Sequence, residues 1–441
     1  MATLSRVTAP VTLCLALACG HASIAAVTVT DDPVLYWNQV MLDTLPASAA
    51  IRTYAMVNIA MYDSVNATLG YRNVPYLTGV TNSGGTGGAA VAQAAHDILV
   101  NANPGGAAQY DAALAASLAQ YADGTAKANG ILTGQAYAAA MIVNRANDGA
   151  FDTVPYTASG LPGRYAPTPP GFASPIFPQW GEVDPFLLNS PDQFRSGPPP
   201  ALDSEAYAAA FNEVKDIGSA TSATRTADQF AAAQFWSVAN GSTYMRLSLE
   251  ISADEGLSTF ENARLFALLG TGIADTLITL WNTKYHYDFW RPVTAIQNAG
   301  LDGNPLTTAD PSWQSLIVAP PHPSYVSAHS AIGVVTTRIL LDNIGDEAFC
   351  ATLGANSRCW SSLGAMSLDG ADSRIWGGIH FRFDKDAGLE LGSQVANWDL
   401  EQAAFNAVPE PGSWMLMTLG AGLVGIALRR RRRAEPRATL S

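Results

Sequence analysis

The stretch KYHYDFWRP, residues 284–292, places a lysine and an arginine at the end of a densely apolar segment. That apolar density predicts a helix over residues 273–290. On such a helix Lys284 and Arg291 are seven residues apart and lie two turns along one face. Pro292 fits the end of the helix, because its ring and its missing N–H oppose continuation. The stretch therefore predicts two fixed cations that point the same way.

Two later stretches contain groups that complete a pocket around these cations. The first is Ser327-Ala328-His329, and the second is Arg374 followed by His380 and Asp384. Together they add a third cation, a serine hydroxyl, two histidines and a backbone N–H near Ala328. A pocket so rich in donors and poor in acceptors favours a tetrahedral oxyanion.

The sequence also predicts how two of these groups are held. Residues 330–343 continue as a helix, so Ser327 lies near its N-cap and the N–H groups around Ala328 point at the anion. His380 and Asp384 lie four residues apart, about one helical turn, so the carboxylate can orient the histidine through a hydrogen bond.

The ordered pattern resembles the active-site signature of the vanadium-dependent haloperoxidases and the type-2 phosphatidic acid phosphatase superfamily. The pattern is Lys, six residues, Arg-Pro; then Ser-x-His; then Ser-Arg, five residues, His, three residues, Asp. The second part departs from the usual Pro-Ser-Gly-His, since this chain has Val326-Ser327-Ala328-His329. In the family the glycine offers its backbone N–H to the anion, and alanine keeps that N–H.

The resemblance implies a role for each group if the cofactor is vanadate. His380 would bind vanadium through Nε2, His329 would act on the apical oxygen, and Lys284 would also polarise hydrogen peroxide. The oxyanion would be held by Lys284, Arg291, Ser327, the Ala328 amide and Arg374. Halide attack on the activated peroxide would then give a hypohalous species, which passes to a small organic acceptor.

Two other functions remain open from the sequence. An acid phosphatase would use the same cations to hold a phosphate ester, with His380 as the nucleophile that forms a phosphohistidine and His329 as the acid. An exported, matrix-associated binding protein would have an inactive pocket, and no activity would depend on Lys284, His329 or His380. The sequence of residues 281–284 and 289–296 resembles that of the soluble haloperoxidase branch, which favours the peroxidase.

The choice of halide depends on two residues near the pocket. His322 lies seven residues before His329, where the resemblance places a histidine in bromide-oxidising members. Trp281 matches the pattern of chloride-oxidising members instead. We expect bromide or iodide to be favoured, although His322 can also be read as a plain loop residue between prolines.

Composition fits an exported helical protein. Charged residues make up 14% and hydrophobic residues 48% of the 441 residues, the net charge is −13, and nucleic acid is therefore an unlikely partner.

We predict an all-α fold in which helical bundles surround one oxyanion pocket. Predicted helices, after a helical region over 34–67, cover residues 89–101, 107–122, 125–147, 204–217, 227–236, 243–253 and 259 onward. The Pro- and Gly-rich region of about 151–203 is expected to be a packed covering loop.

The two ends of the chain have the features of sorting signals. Residues 1–26 contain Arg6, an apolar run and small residues, as a secretory signal peptide does. Residues 408–441 contain Pro-Glu-Pro, a short apolar span over 414–428 and five consecutive arginines at 429–433, and they resemble a PEP-CTERM tail. That resemblance implies cleavage by an exosortase-type enzyme in a Gram-negative bacterium; a retained membrane anchor is the alternative. The catalytic region, about 27–407, is then periplasmic, cell-surface or extracellular.

Four residues outside the pocket also carry predictions. Cys350 and Cys359 are the cysteines left after removal of the signal peptide, and in an oxidising compartment we expect them to form a local disulfide. His96 stands on an alanine-rich face and is expected to be structural. Asp63 is expected to be a surface or capping carboxylate.

Overall fold

The protein is described here by a computed structural model that covers residues 28–29, 31–46, 50–239, 241–402 and 404–408. The predicted signal peptide and nearly all of the predicted tail lie outside these residues. Thirteen α-helices lie within the described ranges. They are α1 Pro33–Thr44, α2 Ala50–Thr68, α3 Gly87–Ala102, α4 Ala107–Leu118, α5 Thr125–Asn144, α6 Glu205–Ile217, α7 Ala227–Ser237, α8 Gly241–Asp254, α9 Thr259–Tyr287, α10 Pro292–Gln297, α11 Ala328–Asn343, α12 Leu363–Trp376 and α13 Arg382–Glu401.

The predicted all-α fold is confirmed, with one small addition. Strands β1 (Phe349–Leu353) and β2 (Asn356–Trp360) form an antiparallel hairpin in which Cys350 pairs with Cys359. The structure joins these two cysteines by a disulfide. The expected local loop is thus a hairpin between α11 and α12.

Helix α9 is the core of the fold. It begins at a capping box, in which the Ser258 hydroxyl accepts from the N–H of Glu261 and the Glu261 carboxylate accepts from the N–H of Ser258. The helix packs against α2, α11 and α13, and nearly every residue between Asn262 and Lys284 is buried. Among the described residues it alone is long and apolar enough to cross a membrane, but 94% of its apolar window is buried inside the protein. It is therefore placed as the core helix of a folded domain.

The predicted start of this helix at residue 259 is confirmed, and its predicted continuation to residue 290 is wrong. The helix ends at Tyr287, because Asp288 adopts a left-handed conformation with φ of 51°. Pro292 is the first residue of α10 rather than the terminator of α9, which suits a proline because the first helical N–H needs no partner. Lys284 and Arg291 therefore lie on different elements, and it is the turn between them that brings them together.

Two layers of helices surround α9. On one side α2 packs against α3 and α5, and on the other α11 packs against α12 and α13. Two glycines let α13 approach α11 closely: an added Cβ would lie 2.5 Å from the carbonyl oxygen of Ser327 at Gly388, and 2.3 Å from that of Ala331 at Gly392. This approach sets the start of α13 beside the start of α11.

The Pro- and Gly-rich region of about 151–203 lies against α9 and contains one turn of 3-10 helix, Pro178–Glu182. The Asp275 carboxylate on α9 accepts hydrogen bonds from the N–H groups of Phe186, Leu187 and Leu188 at 2.7–3.1 Å. An added Cβ at Gly181 would lie 2.6 Å from the backbone of Asn282, so this region and α9 are in direct backbone contact there. We call residues 151–203 the covering loop.

Asp63 and His96 lie outside the three sequence stretches that were predicted to form the pocket. Asp63 is fully buried and accepts hydrogen bonds from the N–H groups of Tyr76 and Leu77, so the expectation of a surface carboxylate is wrong and that of a backbone-capping one is right. The ring of His96 lies between the carboxylates of Asp97 and Asp111, at 2.7 and 2.9 Å. It joins α3 to α4, which is a structural role.

Candidate oxyanion site

A cavity of about 760 Å³ lies where the C-terminal end of α9, the N-terminal end of α11 and the turn before α13 meet. Six of the residues singled out in the sequence line it: Trp281, His322, Ala328, His329, Arg374 and His380. Lys284, Arg291, Ser327 and Asp384 lie behind this lining and are fully buried. The structure thus brings all three stretches together at one end of one cavity.

Lys284 is held by the backbone at the end of the proline-rich run 320–323. Its ammonium donates to the carbonyl oxygens of Pro323 and Ser324, both at 2.8 Å. An ammonium has three N–H donors, so one remains for another acceptor. Burial, followed by the charge of Arg291, lowers the pKa of Lys284 well below its ordinary value.

Arg291 contacts two of the three histidines that line the cavity. Its Nε donates to the carbonyl oxygen of His322 at 2.8 Å, and Nη1 donates to that of Ile379 at 2.9 Å. Nη2 lies 2.9 Å from Nδ1 of His322, and Nη1 lies 3.2 Å from Nε2 of His380. Because a guanidinium only donates, both ring nitrogens present a lone pair to it. Burial lowers the pKa of Arg291 to about 10.

Arg374 and His329 form the opposite side of this end of the cavity. Arg374 donates through Nη1 to the carbonyl oxygen of Trp236 at 2.8 Å. Its Nε and the Nε2 of His329 are both buried and have no hydrogen-bond partner in the described part of the chain. Burial and the neighbouring Arg374 lower the pKa of His329 well below its ordinary value, so its ring is neutral at neutral pH.

His380 is oriented by Asp384, as the spacing predicted. Nδ1 of His380 lies 2.9 Å from Oδ2 of Asp384, which also accepts from the Ser324 hydroxyl at 2.5 Å and from the N–H of Phe381 at 3.1 Å. A carboxylate on Nδ1 holds the proton there and leaves the lone pair on Nε2. Burial, followed by Arg291, Lys284 and Arg374, lowers the pKa of His380 well below its ordinary value.

Ser327 and Ala328 begin helix α11. Ser327 is the N-cap, and its hydroxyl accepts from the N–H of Ser330 at 3.4 Å. Its own N–H donates to the Asp384 carbonyl oxygen at 2.8 Å, which ties α11 to α13. Ala328 is the first helical residue and is not among the residues with positive φ, so this position accepts an L-residue without strain. The N–H groups of a helix N-terminus attract an anion.

The electrostatic balance of the site is strongly positive. Lys284, Arg291 and Arg374 are all at most 5% exposed, yet none has a carboxylate within ion-pair distance among the residues that the structure describes. The charge of Asp384 acts on Lys284 and Arg291, and burial raises the pKa of this carboxyl to about 6. Buried cations without a partner are costly, and an anion bound among them would offset that cost. The site is therefore suited to bind one compact oxyanion.

Two residues that support the site, Ser324 and Tyr244, were not identified from the sequence. Ser324 holds the carboxylate of Asp384 through its hydroxyl and Lys284 through its carbonyl oxygen. Tyr244 of α8 donates to the His329 carbonyl oxygen at 3.2 Å and stacks on Trp236 at 5.5 Å between ring centroids. Ser324 stands in the rigid run of prolines before Ser327, which was a usable signal. Tyr244 lies 85 residues from His329, and no sequence pattern connects them.

These features describe a helical-bundle protein with a candidate oxyanion site, and comparison with known proteins shows what it is similar to. Residues 264–407 match the family described as the VCPO second helical-bundle domain, and residues 407–432 match the PEP-CTERM protein-sorting motif. The vanadium chloroperoxidase of Curvularia inaequalis is 24% identical over 190 residues, which is 32% of this chain and 30% of that protein.

Solved structures extend the likeness to most of the chain. The first bacterial vanadium-dependent iodoperoxidase has a TM-score of 0.72 and 22% identity, over 85% of this chain and 98% of that one. A holo-type bacterial vanadium-dependent chloroperoxidase has a TM-score of 0.60 and 17% identity, over 81% of this chain and 92% of that one. The resemblance read from the sequence is confirmed: residues 264–407 match the VCPO second helical-bundle domain, the chain shares the fold of these solved structures, and residues 407–432 match the PEP-CTERM protein-sorting motif.

Proposed function

We propose that this protein is a vanadate-dependent haloperoxidase that oxidises bromide or iodide with hydrogen peroxide. One observation carries the proposal: three buried cations without a carboxylate partner in the described residues lie around a histidine of the cavity wall, whose Nδ1 is held by Asp384 and whose unprotonated Nε2 lies 3.2 Å from Arg291. The overall reaction, X⁻ + H₂O₂ + H⁺ → HOX + H₂O, oxidises the halide, reduces the peroxide and consumes one proton.

The donor set fits vanadate. His380 would supply the Nε2 ligand, and the charge of the oxyanion would be balanced by Lys284, Arg291 and Arg374, with Ser327 and the Ala328 amide as further donors. The unpartnered Nε of Arg374 and Nε2 of His329 would face polar atoms of the bound group rather than apolar surroundings. Bound vanadate would supply a Lewis-acid centre that activates hydrogen peroxide toward halide.

The chain itself contributes preorganised charge and one proton-transfer group. Lys284 and Arg291 are fixed by backbone carbonyl oxygens, so their donors need no rearrangement as negative charge shifts during the reaction. The neutral ring of His329 can accept a proton at Nε2 and return it, since its pKa is lowered by burial and an adjacent anion would raise it again. Asp384 keeps the proton of His380 on Nδ1 and acts as a positioning residue.

The halide preference rests on His322. Its ring lies edge-on to Trp281 with 4.9 Å between centroids, and it accepts a hydrogen bond from Arg291. A histidine here follows the bromide-oxidising pattern, and Trp281 beside it follows the chloride-oxidising one. We assign the preference to bromide or iodide because His322 is directly connected to the guanidinium that would contact the oxyanion.

A phosphatase would find the same donors in place. Its specific support is the contact between Asp384 and Nδ1 of His380, which leaves Nε2 unprotonated, as a nucleophile for phosphorus requires. We further propose that residues 1–26 are a signal peptide and that the mature region extends to about residue 407. An exosortase-type enzyme would process the tail of the exported protein, since residues 407–432 match a sorting motif.

The test compares both activities in one preparation of the mature region. Bromide-dependent oxidation of a phenol dye by hydrogen peroxide is measured before and after addition of orthovanadate, next to hydrolysis of a simple phosphate ester. Activity that requires vanadate and peroxide supports the proposal. Ester hydrolysis inhibited by vanadate, without halide oxidation, assigns the protein to the phosphatases, and the lack of both activities favours a binding protein with an inactive pocket.

A further inference from the structure

We propose that Asp369 of α12 is a positioning residue, which fixes the guanidinium of Arg374 at the oxyanion site through Trp236 of α7. The inference rests on the proposed function, since Arg374 is one of the three cations that would hold the oxyanion. Asp369 is not among the residues that line the cavity, so it acts on the site only through its neighbours. The inference also gives a role to the hairpin of β1 and β2, which binds the same carboxylate.

Arg374 is held by fewer contacts than Arg291. The guanidinium of Arg291 donates to two backbone carbonyl oxygens and contacts two histidine rings. The guanidinium of Arg374 makes one hydrogen bond to another described residue, from Nη1 to the carbonyl oxygen of Trp236 at 2.8 Å. Its buried Nε has no partner in the same part of the chain. The direction of this guanidinium therefore depends on where the Trp236 carbonyl oxygen lies.

The Trp236 carbonyl lies at the C-terminal end of α7. Because α7 ends at Ser237, this carbonyl is one of the last four, whose oxygens have no partner in the regular pattern of the helix. The C-terminal end of a helix carries a partial negative charge and attracts a nearby cation. Helix α7 packs against α12 and β2. These two elements therefore determine where the carbonyl points.

Asp369 fixes Trp236 at the junction of α7, α12 and β2. Its Oδ2 accepts from the indole N–H of Trp236 at 2.8 Å, from Nε of Arg358 at 2.6 Å and from the indole N–H of Trp360 at 3.1 Å. Its Oδ1 accepts from Nη2 of Arg358 at 2.7 Å. An ionised carboxylate has about four lone-pair sites, so these four hydrogen bonds use its capacity. Trp236, which is fully buried, is thus held by its ring at the same place where its carbonyl holds Arg374.

The hairpin holds Asp369 from the other side. Arg358 and Trp360 both lie on β2, one on each side of Cys359, and the disulfide to Cys350 joins β2 to β1. A two-stranded hairpin is at best marginally stable alone. The disulfide and the packing of Trp360 on Trp236, with 5.8 Å between ring centroids, therefore help to keep the two donors in place.

The indirect connection leaves the charge of Arg374 available to an anion. Asp369 and Arg374 lie five residues apart on α12, so they point about 140° apart around the helix axis. Asp369 forms its ion pair with Arg358 instead. A carboxylate paired directly with Arg374 would compete with the oxyanion for the guanidinium, whereas the neutral Trp236 orients it without cancelling its charge.

Anion affinity tests the role without any turnover. Asp369→Asn keeps the shape of the side chain but replaces one acceptor oxygen with an N–H donor, so it cannot accept all four hydrogen bonds. The affinity of the purified mature protein for orthovanadate is measured by equilibrium dialysis, with inorganic phosphate as a second probe. We expect both anions to bind about threefold to tenfold more weakly to the variant.

Asp372→Asn is the matched control for charge. It removes the same charge from the same helix, where Asp372 pairs with Lys385 at 3.0 Å and its side chain is 26% exposed. This carboxylate makes no printed contact with Trp236 or Arg374 among the described residues. Affinity for both anions should stay within about twofold of that of the unmodified protein.

A double variant separates positioning from a general loss of structure. Two cations remain in Arg374→Ala, so weaker anion binding can still be measured in that variant. If Asp369 acts through Arg374, Asp369→Asn should cause no further loss of affinity in the Arg374→Ala background, whereas a general structural effect would add to it. Trp236→Phe lacks the indole N–H and is the second single variant. It should also weaken both anions about threefold to tenfold, which keeps the test decisive if Asp369→Asn does not fold.

The outcomes separate this inference from the proposed function. Unchanged anion affinity in Asp369→Asn or in Trp236→Phe, or a full further loss in the Arg374→Ala background, would overturn the positioning role even if vanadate-dependent bromide oxidation is present. The expected pattern of affinities without any halide oxidation would support the positioning role and overturn the peroxidase proposal alone.

Discussion

Asp384 accepts a hydrogen bond from Nδ1 of His380 at 2.9 Å, and the same carboxylate oxygen accepts from the Ser324 hydroxyl and the N–H of Phe381. The two residues lie four positions apart at the start of α13, where the N-terminal N–H groups favour a carboxylate. The contact selects the imidazole tautomer that leaves Nε2 unprotonated. The orientation of His380 thus depends on Asp384.

Asp384→Asn should therefore weaken vanadate binding about 10–100-fold, which is the usual effect of removing the hydrogen-bond partner of a metal-ligating histidine. Vanadate affinity is measured by equilibrium dialysis of the mature protein. Asp386→Asn is the matched control on the same helix, because the Asp386 side chain is 60% exposed. Equal affinity in the two variants would contradict the orienting role.

His380→Ala should abolish bromide oxidation, and any phosphate-ester hydrolysis, by at least about a thousandfold, because both proposed reactions use Nε2. The control is His286→Ala, since His286 is exposed on α9 only two residues from Lys284. Initial rates of both reactions are compared at saturating vanadate. Retention of full activity in His380→Ala would mean that the site has been assigned wrongly.

His322→Phe should change the ratio of kcat/KM for bromide to that for chloride, because it removes a polar ring beside the oxyanion end of the cavity. It should also weaken vanadate binding about tenfold, since Nη2 of Arg291 loses its hydrogen bond to the His322 ring.

His322→Gln is the control for that effect, because its side-chain oxygen can accept from Arg291. It should retain more vanadate affinity than His322→Phe while also changing the halide ratio. An unchanged halide ratio in both variants would show that His322 does not select the halide.

Asp399 of α13 predicts a pH dependence of stability. The carboxylate oxygens of Asp399 are buried without a hydrogen-bond partner among the described residues. Burial, followed by the charge of Asp275, raises the pKa of Asp399 well above its ordinary value. The folded protein then holds a proton that the unfolded chain has lost. The stability from this group is fully present below about pH 4 and falls by about 1.4 kcal/mol per pH unit until the folded pKa is reached.

Asp399→Asn removes this titration and should become progressively more stable than the unmodified protein as pH rises from 5 to 9. The Tm difference between the two proteins is measured across this range. A difference that is constant with pH would contradict the buried, protonated state of Asp399.

The sequence predicted the chemistry of the site better than its geometry. Lys284, Arg291, Arg374 and His380 were recognised because a buried anion site needs several donors and the spacing of these residues is fixed. The predicted end of the helix at residue 290 was wrong, because Asp288 adopts a left-handed conformation that ends the helix. Neither periodicity nor composition signals that backbone angle. The contribution of Tyr244 depends on how α8 packs against α11, which only the folded chain defines.

The covering loop has a consequence for engineering. It is attached to α9 through Asp275, and its segment around Phe177 lines the cavity without making any of the hydrogen bonds that hold Lys284 or Arg291. The residues that would hold the oxyanion and the covering-loop residues that line the cavity are thus carried by separate pieces of chain. Changing the lining side chains of residues 171–180, while the hydrogen bond from the N–H of Ile176 to the carbonyl oxygen of Pro321 is kept, should alter which molecules the cavity admits and leave Lys284 and Arg291 in place, which makes this segment the natural target for directed evolution.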